Sequence, residues 1–194
     1  KLIGKKYNTR SGTEYTIDAE LHSFIIFMGG SMLRPTVSEI YSLKFEDITV
    51  REIMNGDEKV NYLEFPVTRK NRPMVVQTLP TSFYAYRDIL KRRPNYSPKD
   101  FIFAPQYENR RTAMRHLSNM FAQVLRELKM LKGRLGEPRS CYSLRHSSLI
   151  FNLSQPNVDL LDIARRADTS MKMIQDFYYP IAQMDEKLGE FLRI

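Results

Sequence analysis

The chain of 194 residues contains a single cysteine, Cys141, so neither a disulfide nor a zinc site built on thiolates is available to it. That scarcity fits a reducing compartment. Long apolar runs are missing too. The longest, around Phe24 to Met28, falls far short of the roughly 20 residues that cross a bilayer. The N-terminal KLIGKKYNTR lacks the apolar core of a secretory signal, and Lys1 as first residue suggests a piece of a longer chain. These absences predict a soluble cytoplasmic protein with no membrane partner. No glycine-rich phosphate loop followed by lysine occurs, and the three histidines, His22, His116 and His146, stand far apart. Without close-spaced His, Asp or Glu ligands a metal-dependent nuclease is a poor reading, and no metal or cofactor is expected. No nucleophile-elbow glycine pattern supports a Ser-His-Asp hydrolase.

Acidic residues are in the minority: 22 Asp and Glu face 30 Lys and Arg, a formal charge of +8. An excess of that sign favours a polyanionic partner, nucleic acid before an acidic membrane. The basic residues are also clustered, in Lys91 to Arg93, in Asn109 to Arg115 and between Arg126 and Arg139. Clustering is what a surface that tracks phosphates needs, although a solvated helix face accounts for each run taken alone. At this length a single domain can bury roughly 70% of its unfolded surface, so no covalent or metal staple is required.

Hydrophobic periodicity orders the rest. Residues 1–17 are polar and turn-rich and read as a linker. Asp18 is placed to cap a helix whose apolar face is Leu21, Phe24, Ile25 and Met28, with Gly29 and Gly30 ending it. A second helix is expected after Pro35, with Val37, Ile40, Tyr41 and Leu43 as its apolar set. The period then changes to two: ITVREIM, a turn at Asn55 to Asp57, VNYLEFPV, a turn at RKNR, and MVVQTLP predict a three-stranded antiparallel meander. From Pro80 the pattern is helical, over 81–93, 112–131, 143–154, 158–167, 170–179 and 185–192. The expected class is α+β, mainly helical with one small sheet.

Three segments carry candidate chemistry. In SMLRPTVSEIYSLKFEDI, Arg34 lies between a helix end and a proline, where an ordinary surface arginine would also be at home. In CYSLRHS, Arg145 and His146 sit in the first turn of an apolar helix, where the helix dipole disfavours cations unless an anion is near. In ADTSMKMIQDFYYP an amphipathic helix ends in two tyrosines, a pairing that core packing explains as readily as catalysis.

Taken in this order, the segments resemble the tyrosine recombinases, or phage integrases. That family's first arginine box, GLRxSELxxLxWxDI, is matched here by Leu33, Arg34, Glu39, Leu43, Asp47 and Ile48, with two extra residues between Arg34 and Glu39. Its HxLRH box is matched by Tyr142 to His146, with Tyr142 in place of the histidine. Its final tyrosine follows a GH pair by nine residues, as Tyr178 follows Thr169; Thr169, or alternatively Asp168, holds the place of the usual His or Trp. The resemblance spans about residues 15 to 180 and implies a catalytic domain over 18–180 followed by a tail helix over 181–194.

The resemblance implies a metal-independent chemistry on double-stranded DNA. Tyr178, chosen over Tyr179 by spacing, would attack phosphorus to give a 3′-phosphotyrosine. Arg34 and Arg145 would hold the nonbridging oxygens, a task suited to planar guanidinium forks. Lys70 in the hairpin turn would protonate the leaving 5′ oxygen, with Arg69 as fallback. His146 would pack and hydrogen-bond within the site or assist proton transfer, Tyr142 would donate to the phosphate, and Thr169 completes the catalytic set; the base for Tyr178 stays unassigned. Glu39 would orient an arginine, or be an ordinary helix-surface acid. Arg69, Arg72, Arg110, Arg111 and Arg115 are the candidate backbone contacts. The implied task is site-specific integration or excision of a phage or genomic island in a bacterial cytoplasm, by a protein that forms tetramers on DNA. Without the family's N-terminal arm-like domain, this piece is expected to bind DNA weakly and with steep salt dependence. The tail helix would dock on a neighbouring subunit or on its own domain. Two other readings compete: a type IB topoisomerase that relaxes DNA without a defined site, and a DNA-binding module without catalysis.

Overall fold

The computed structural model describes residues 2–8, 12, 14–69, 72–133, 136–155 and 157–182. The N-terminal stretch read as a linker contains a short antiparallel pair, β1 (Lys6–Asn8) and β2 (Glu14–Thr16), in register Tyr7 to Tyr15. The central helix α1 (Ala19–Ser31) starts where expected, with the Asp18 carboxylate accepting from the Leu21 N–H at 2.9 Å. Phe24, Phe27 and Met28 on it are fully buried. Phe24 stacks on Tyr41 and meets Phe103 edge-on, with ring centroids 5.7 and 5.4 Å away.

The glycines do not end this helix, which runs through Ser31 and stops at Met32 in the left-handed region (φ 52°). Gly30 serves close packing instead. A Cβ there would meet the Thr81 hydroxyl and lie 2.5 Å from Ser82 Oγ, so its absence lets α2 (Pro80–Arg92) press against α1. The helix expected after Pro35 is replaced by turns and two single 3-10 turns, Ile40–Ser42 and Phe45–Asp47. There the Thr36 carbonyl accepts from the N–H groups of both Glu39 and Tyr41, winding the chain tightly enough to turn Glu39 inward.

The meander forms as predicted: β3 (Thr49–Asn55), β4 (Glu58–Arg69) and β5 (Arg72–Gln77) pair antiparallel in that order. Gly56 takes the positive φ (62°) that the two-residue turn between β3 and β4 requires. Leu63, Phe65 and Val67 alternate inward along β4, whereas every residue of β3 is exposed. Helices α3 (Arg110–Glu127), α4 (Cys141–Leu153) and α5 (Leu160–Ala167) follow. A last segment, α6 (Met171–Met173), runs into a π-helical turn (Ile174–Tyr178) that continues as helix to residue 182. The tail helix expected beyond it lies outside the described residues. The expected class, α+β with one three-stranded sheet, is the class observed. Two apolar clusters hold the molecule. One surrounds α1; the other joins Met32, Leu149, Leu153, Ile163, Ile174 and Tyr178, so it packs α4, α5 and the last helix together.

Candidate active site

The site lies where the two clusters meet, and α5 supplies its floor. A helix C-terminus exposes carbonyls that carry partial negative charge. At the end of α5 three successive carbonyls each receive a different guanidinium. Arg69 Nη1 donates to Arg166 O at 3.2 Å, Arg145 Nη2 to Ala167 O at 2.6 Å, and Arg34 Nη2 to Asp168 O at 2.7 Å. Arg34 comes from the chain after α1, Arg69 from the end of β4, and Arg145 from the buried face of α4. Arg34 and Arg145, far apart in sequence, thus stand over adjacent residues.

Glu39 binds this cluster together. Only 4% exposed, its carboxylate accepts from the Arg34 backbone N–H (3.0 Å), Arg34 Nη1 (3.1 Å) and Arg69 Nη2 (2.9 Å). The reading of Glu39 as a surface acid is therefore excluded, and it orients two arginines rather than one. Burial works against the charge on Arg34, but Glu39 and Asp168 outweigh it and hold that pKa above the ordinary arginine range. On Arg145, burial and then the charge of Arg34 push the other way, with Arg69 adding to it, while Tyr142 and Glu39 partly compensate. An arginine gives up no proton under any ordinary condition, so the cationic repulsion remains as an attraction for an anion. Arg145 also donates through Nη1 to Met32 O, yet Arg145 Nε and Arg69 Nε are buried with no partner. Buried donors without acceptors are costly, so the close packing of this cluster is held against a local penalty.

Asp168, rather than Thr169, reaches the arginines. It caps α5 in the left-handed conformation (φ 49°, ψ 57°), and its carboxylate lies 3.1 Å from Arg34 Nη2. Thr169 is half-buried on the wall of a neighbouring groove of about 470 Å³, which it shares with Arg72, Arg165 and Asp168. A second groove, of about 490 Å³, is lined by Pro35, Arg111, Arg115, Ser140 and Tyr142. Both grooves carry exposed basic side chains.

The capping box of Ser140 and Ser143 starts α4 and sets the rotation of its first turn. Tyr142 points outward, 41% exposed, and its ring lies 5.0 Å from that of His146. His146 stacks in turn on Tyr178, at 5.5 Å and 28°. The Tyr178 hydroxyl lies 2.8 Å from His146 Nδ1. Burial, with Arg145 adding to it, holds the His146 pKa below the ordinary histidine value, so at neutral pH the imidazole accepts and the phenol donates. Burial raises Tyr178 above the usual phenol, partly offset by Arg145. Sequence reasoning placed these two residues in one site but missed their direct contact; no sequence signal reports a hydrogen bond across 32 residues.

Other assignments are corrected or left aside. Arg110 does not face DNA: it is buried, stacks 3.9 Å over the Phe101 ring, and donates to the carbonyls of Tyr41, Phe103, Ala104 and Tyr107. A guanidinium has five N–H donors, and four of these are spent inside the protein. Arg69 is equally unavailable as a surface contact or a proton donor to DNA, being 3% exposed beneath Glu39. In the basic run at 91–93, Arg93 is tied to Glu20 at 2.8 Å and to Ile102 O. Lys70 lies outside the described residues, between Arg69 and Arg72 at the facing ends of β4 and β5. No cluster of metal-ligating side chains occurs among the described residues, and none of their helices is long and apolar enough to cross a membrane.

No protein-family profile and no curated protein matches the chain. Among solved structures it is similar to the Tn1549 transposon integrase bound to transposon right end DNA, with a TM-score of 0.52 and 14% identity over 87% of this chain. It is likewise similar to the same integrase bound to circular intermediate DNA, at 0.53 and 16% over 90% of this chain. It spans 59% and 58% of those chains, somewhat over half their length. Over most of its length the chain therefore has the fold seen in the Tn1549 transposon integrase structures.

Proposed function

We propose that the protein cleaves and rejoins DNA strands through a covalent bond between Tyr178 and a 3′ phosphate, as a site-specific recombinase of a mobile element. The observation that carries this reading is the pairing of a three-arginine cluster with a hydrogen-bonded tyrosine next to it. Metal-free attack on a phosphodiester needs a nucleophile, positive charge over the developing oxyanion, and a proton for the leaving oxygen. Tyr178 Oη forms the new bond to phosphorus, and the bond from phosphorus to the 5′ oxygen breaks. Arg145 and Arg34 take the nonbridging oxygens, with Arg69 and Glu39 setting their geometry. Lys70 supplies the proton to the 5′ oxygen. The phosphotyrosine keeps the energy of the broken ester, so a second 5′ hydroxyl reverses the reaction without ATP. Arg72, Arg111 and Arg115, in the two grooves, contact backbone phosphates and fix the register of the duplex. The Tn1549 integrase structures, which hold DNA, support a DNA partner, and assembly into tetramers on that DNA is what the sequence resemblance implies.

The test is covalent trapping of full-length protein on nicked duplex spanning the ends of its own element, read on a denaturing gel. A shifted band that persists in Tyr179→Phe and vanishes in Tyr178→Phe is the expected outcome. A competing reading, a DNA-binding module without catalysis, draws on the partly occupied state of the clamp: every Nη of Arg34 and Arg145 already donates at least once to a protein acceptor. It expects duplex binding unchanged by Tyr178→Phe and no covalent band. Relaxation of arbitrary supercoiled plasmid would instead point to a topoisomerase.

A further inference from the structure

The proposed reaction leaves one step without an actor, because the phenol must lose its proton as it attacks. Tyr142 stands where a histidine would be expected by resemblance, and a phenol with a reference pKa of about 10 is a poor base near neutrality. We infer that His146 is the catalytic base, with Nδ1 taking the proton from Tyr178 Oη as the oxygen bonds to phosphorus. The inference rests on the strand-cleavage reading above.

The geometry meets the requirements for such a transfer. The heavy atoms are 2.8 Å apart, inside the range for direct proton transfer. The imidazole is held between two aromatic rings, Tyr142 at 5.0 Å and Tyr178 at 5.5 Å, so its orientation is fixed before substrate arrives. With Nδ1 accepting, the mobile proton of the neutral ring resides on Nε2, and His146 is exposed to solvent. Among the described residues, the titratable groups facing His146 are Arg145 and Tyr142 on its own helix and Tyr178 on the last one. No carboxylate among the described residues acts on it, and burial with Arg145 shifts it toward the neutral, accepting form. The same arginine that grips the phosphate therefore also keeps the base unprotonated. Proton balance is simple: the phenolic proton moves to His146, the leaving 5′ oxygen takes one from Lys70, and rejoining runs both transfers backward.

The π-helical turn at Ile174–Tyr178 is a second, independent support. Such turns carry one more residue than an α-turn and are energetically unfavourable, so they persist where a side chain must be aimed. Here the turn ends on Tyr178 and delivers its hydroxyl to His146.

The experiment measures the rate of covalent-complex formation by full-length protein on the nicked element-end duplex across pH, for wild type, His146→Asn and His146→Ala. The wild-type rate should rise with pH to a plateau, with a midpoint below the ordinary histidine value of about 6.5. Asparagine places an acceptor oxygen near the position of Nδ1 but cannot take a proton. His146→Asn should therefore keep duplex affinity while slowing cleavage by roughly 10² to 10⁴ and losing the ascending limb. Added imidazole should restore part of the rate to His146→Ala and none to His146→Asn. Equal rates in wild type and His146→Asn, or an unchanged pH limb in the variant, would overturn the base assignment while leaving Tyr178 as nucleophile. Absence of a covalent band in wild type would overturn the strand-cleavage reading, and the base with it.

Discussion

At the scale of single residues, the same chemical type plays opposite parts, and only the partners tell them apart. Arg110 and Arg111 are neighbours in one basic run, yet one is a buried clasp for four carbonyls and the other lines an open groove. Replacing Arg110 by methionine leaves several buried acceptors unpaired, each at about 1–3 kcal/mol, so a loss of about 3 kcal/mol or more is expected in urea unfolding. Arg111→Ala should leave that midpoint unchanged and weaken duplex binding. Asp168 presents the other residue-scale question, since its carboxylate lies 3.1 Å from Arg34 Nη2, on a guanidinium proposed to hold the phosphate. Asparagine tolerates the left-handed backbone there and removes the charge. Asp168→Asn should tighten binding of random-sequence duplex at fixed salt by about 1 kcal/mol, roughly fivefold, by fluorescence anisotropy. Weaker binding would show instead that the carboxylate is needed to hold Arg34 in place.

At the scale of elements, the site depends on how closely its supports approach one another. Gly30 allows α1 and α2 to touch, which sets the exit of α1 and hence the position of Arg34. Gly30→Ala should cost about 1–3 kcal/mol through the displaced Thr81 and Ser82, visible as a lower Tm. Glu39 ties the loop after α1 to the end of β4. Removing it leaves the buried Arg69 without a counter-charge, and Glu39→Ala should destabilise the fold by about 3–5 kcal/mol. Elements whose signal is periodicity were legible in the sequence: α1 with its Asp18 cap, the three-stranded meander and α2 through α5. The segment from Pro35 to Leu43 was not. Its apolar spacing suits a helix, but the pull of Glu39 toward two arginines overrides that local preference.

At the scale of the whole molecule, two histidines make stability depend on pH. Burial lowers the pKa of both His116 and His146 below the unfolded value, so the folded state binds fewer protons than the unfolded one through that window. The sign follows: stability is full above about pH 6.5, declines as pH falls through the interval down to the folded pKa, and levels off below it. Thermal unfolding followed across that interval should show Tm falling with pH, and His116→Gln should reduce the slope while leaving His146 as the remaining source. A Tm that rises on acidification would contradict the lowered pKa of these two imidazoles.

The sequence by itself determined the order of elements, the basic character, the α+β class and the presence of two arginine boxes ahead of a C-terminal tyrosine. These are carried by spacing and composition, which are local properties. Only the tertiary structure decided which arginines serve the site and which serve the core, since that depends on the carbonyls the chain brings to each one. It alone placed three guanidiniums on the last turn of α5, put Asp168 rather than Thr169 against Arg34, and joined Tyr178 to His146. Those contacts link residues from 22 to 134 positions apart, and no periodicity encodes them.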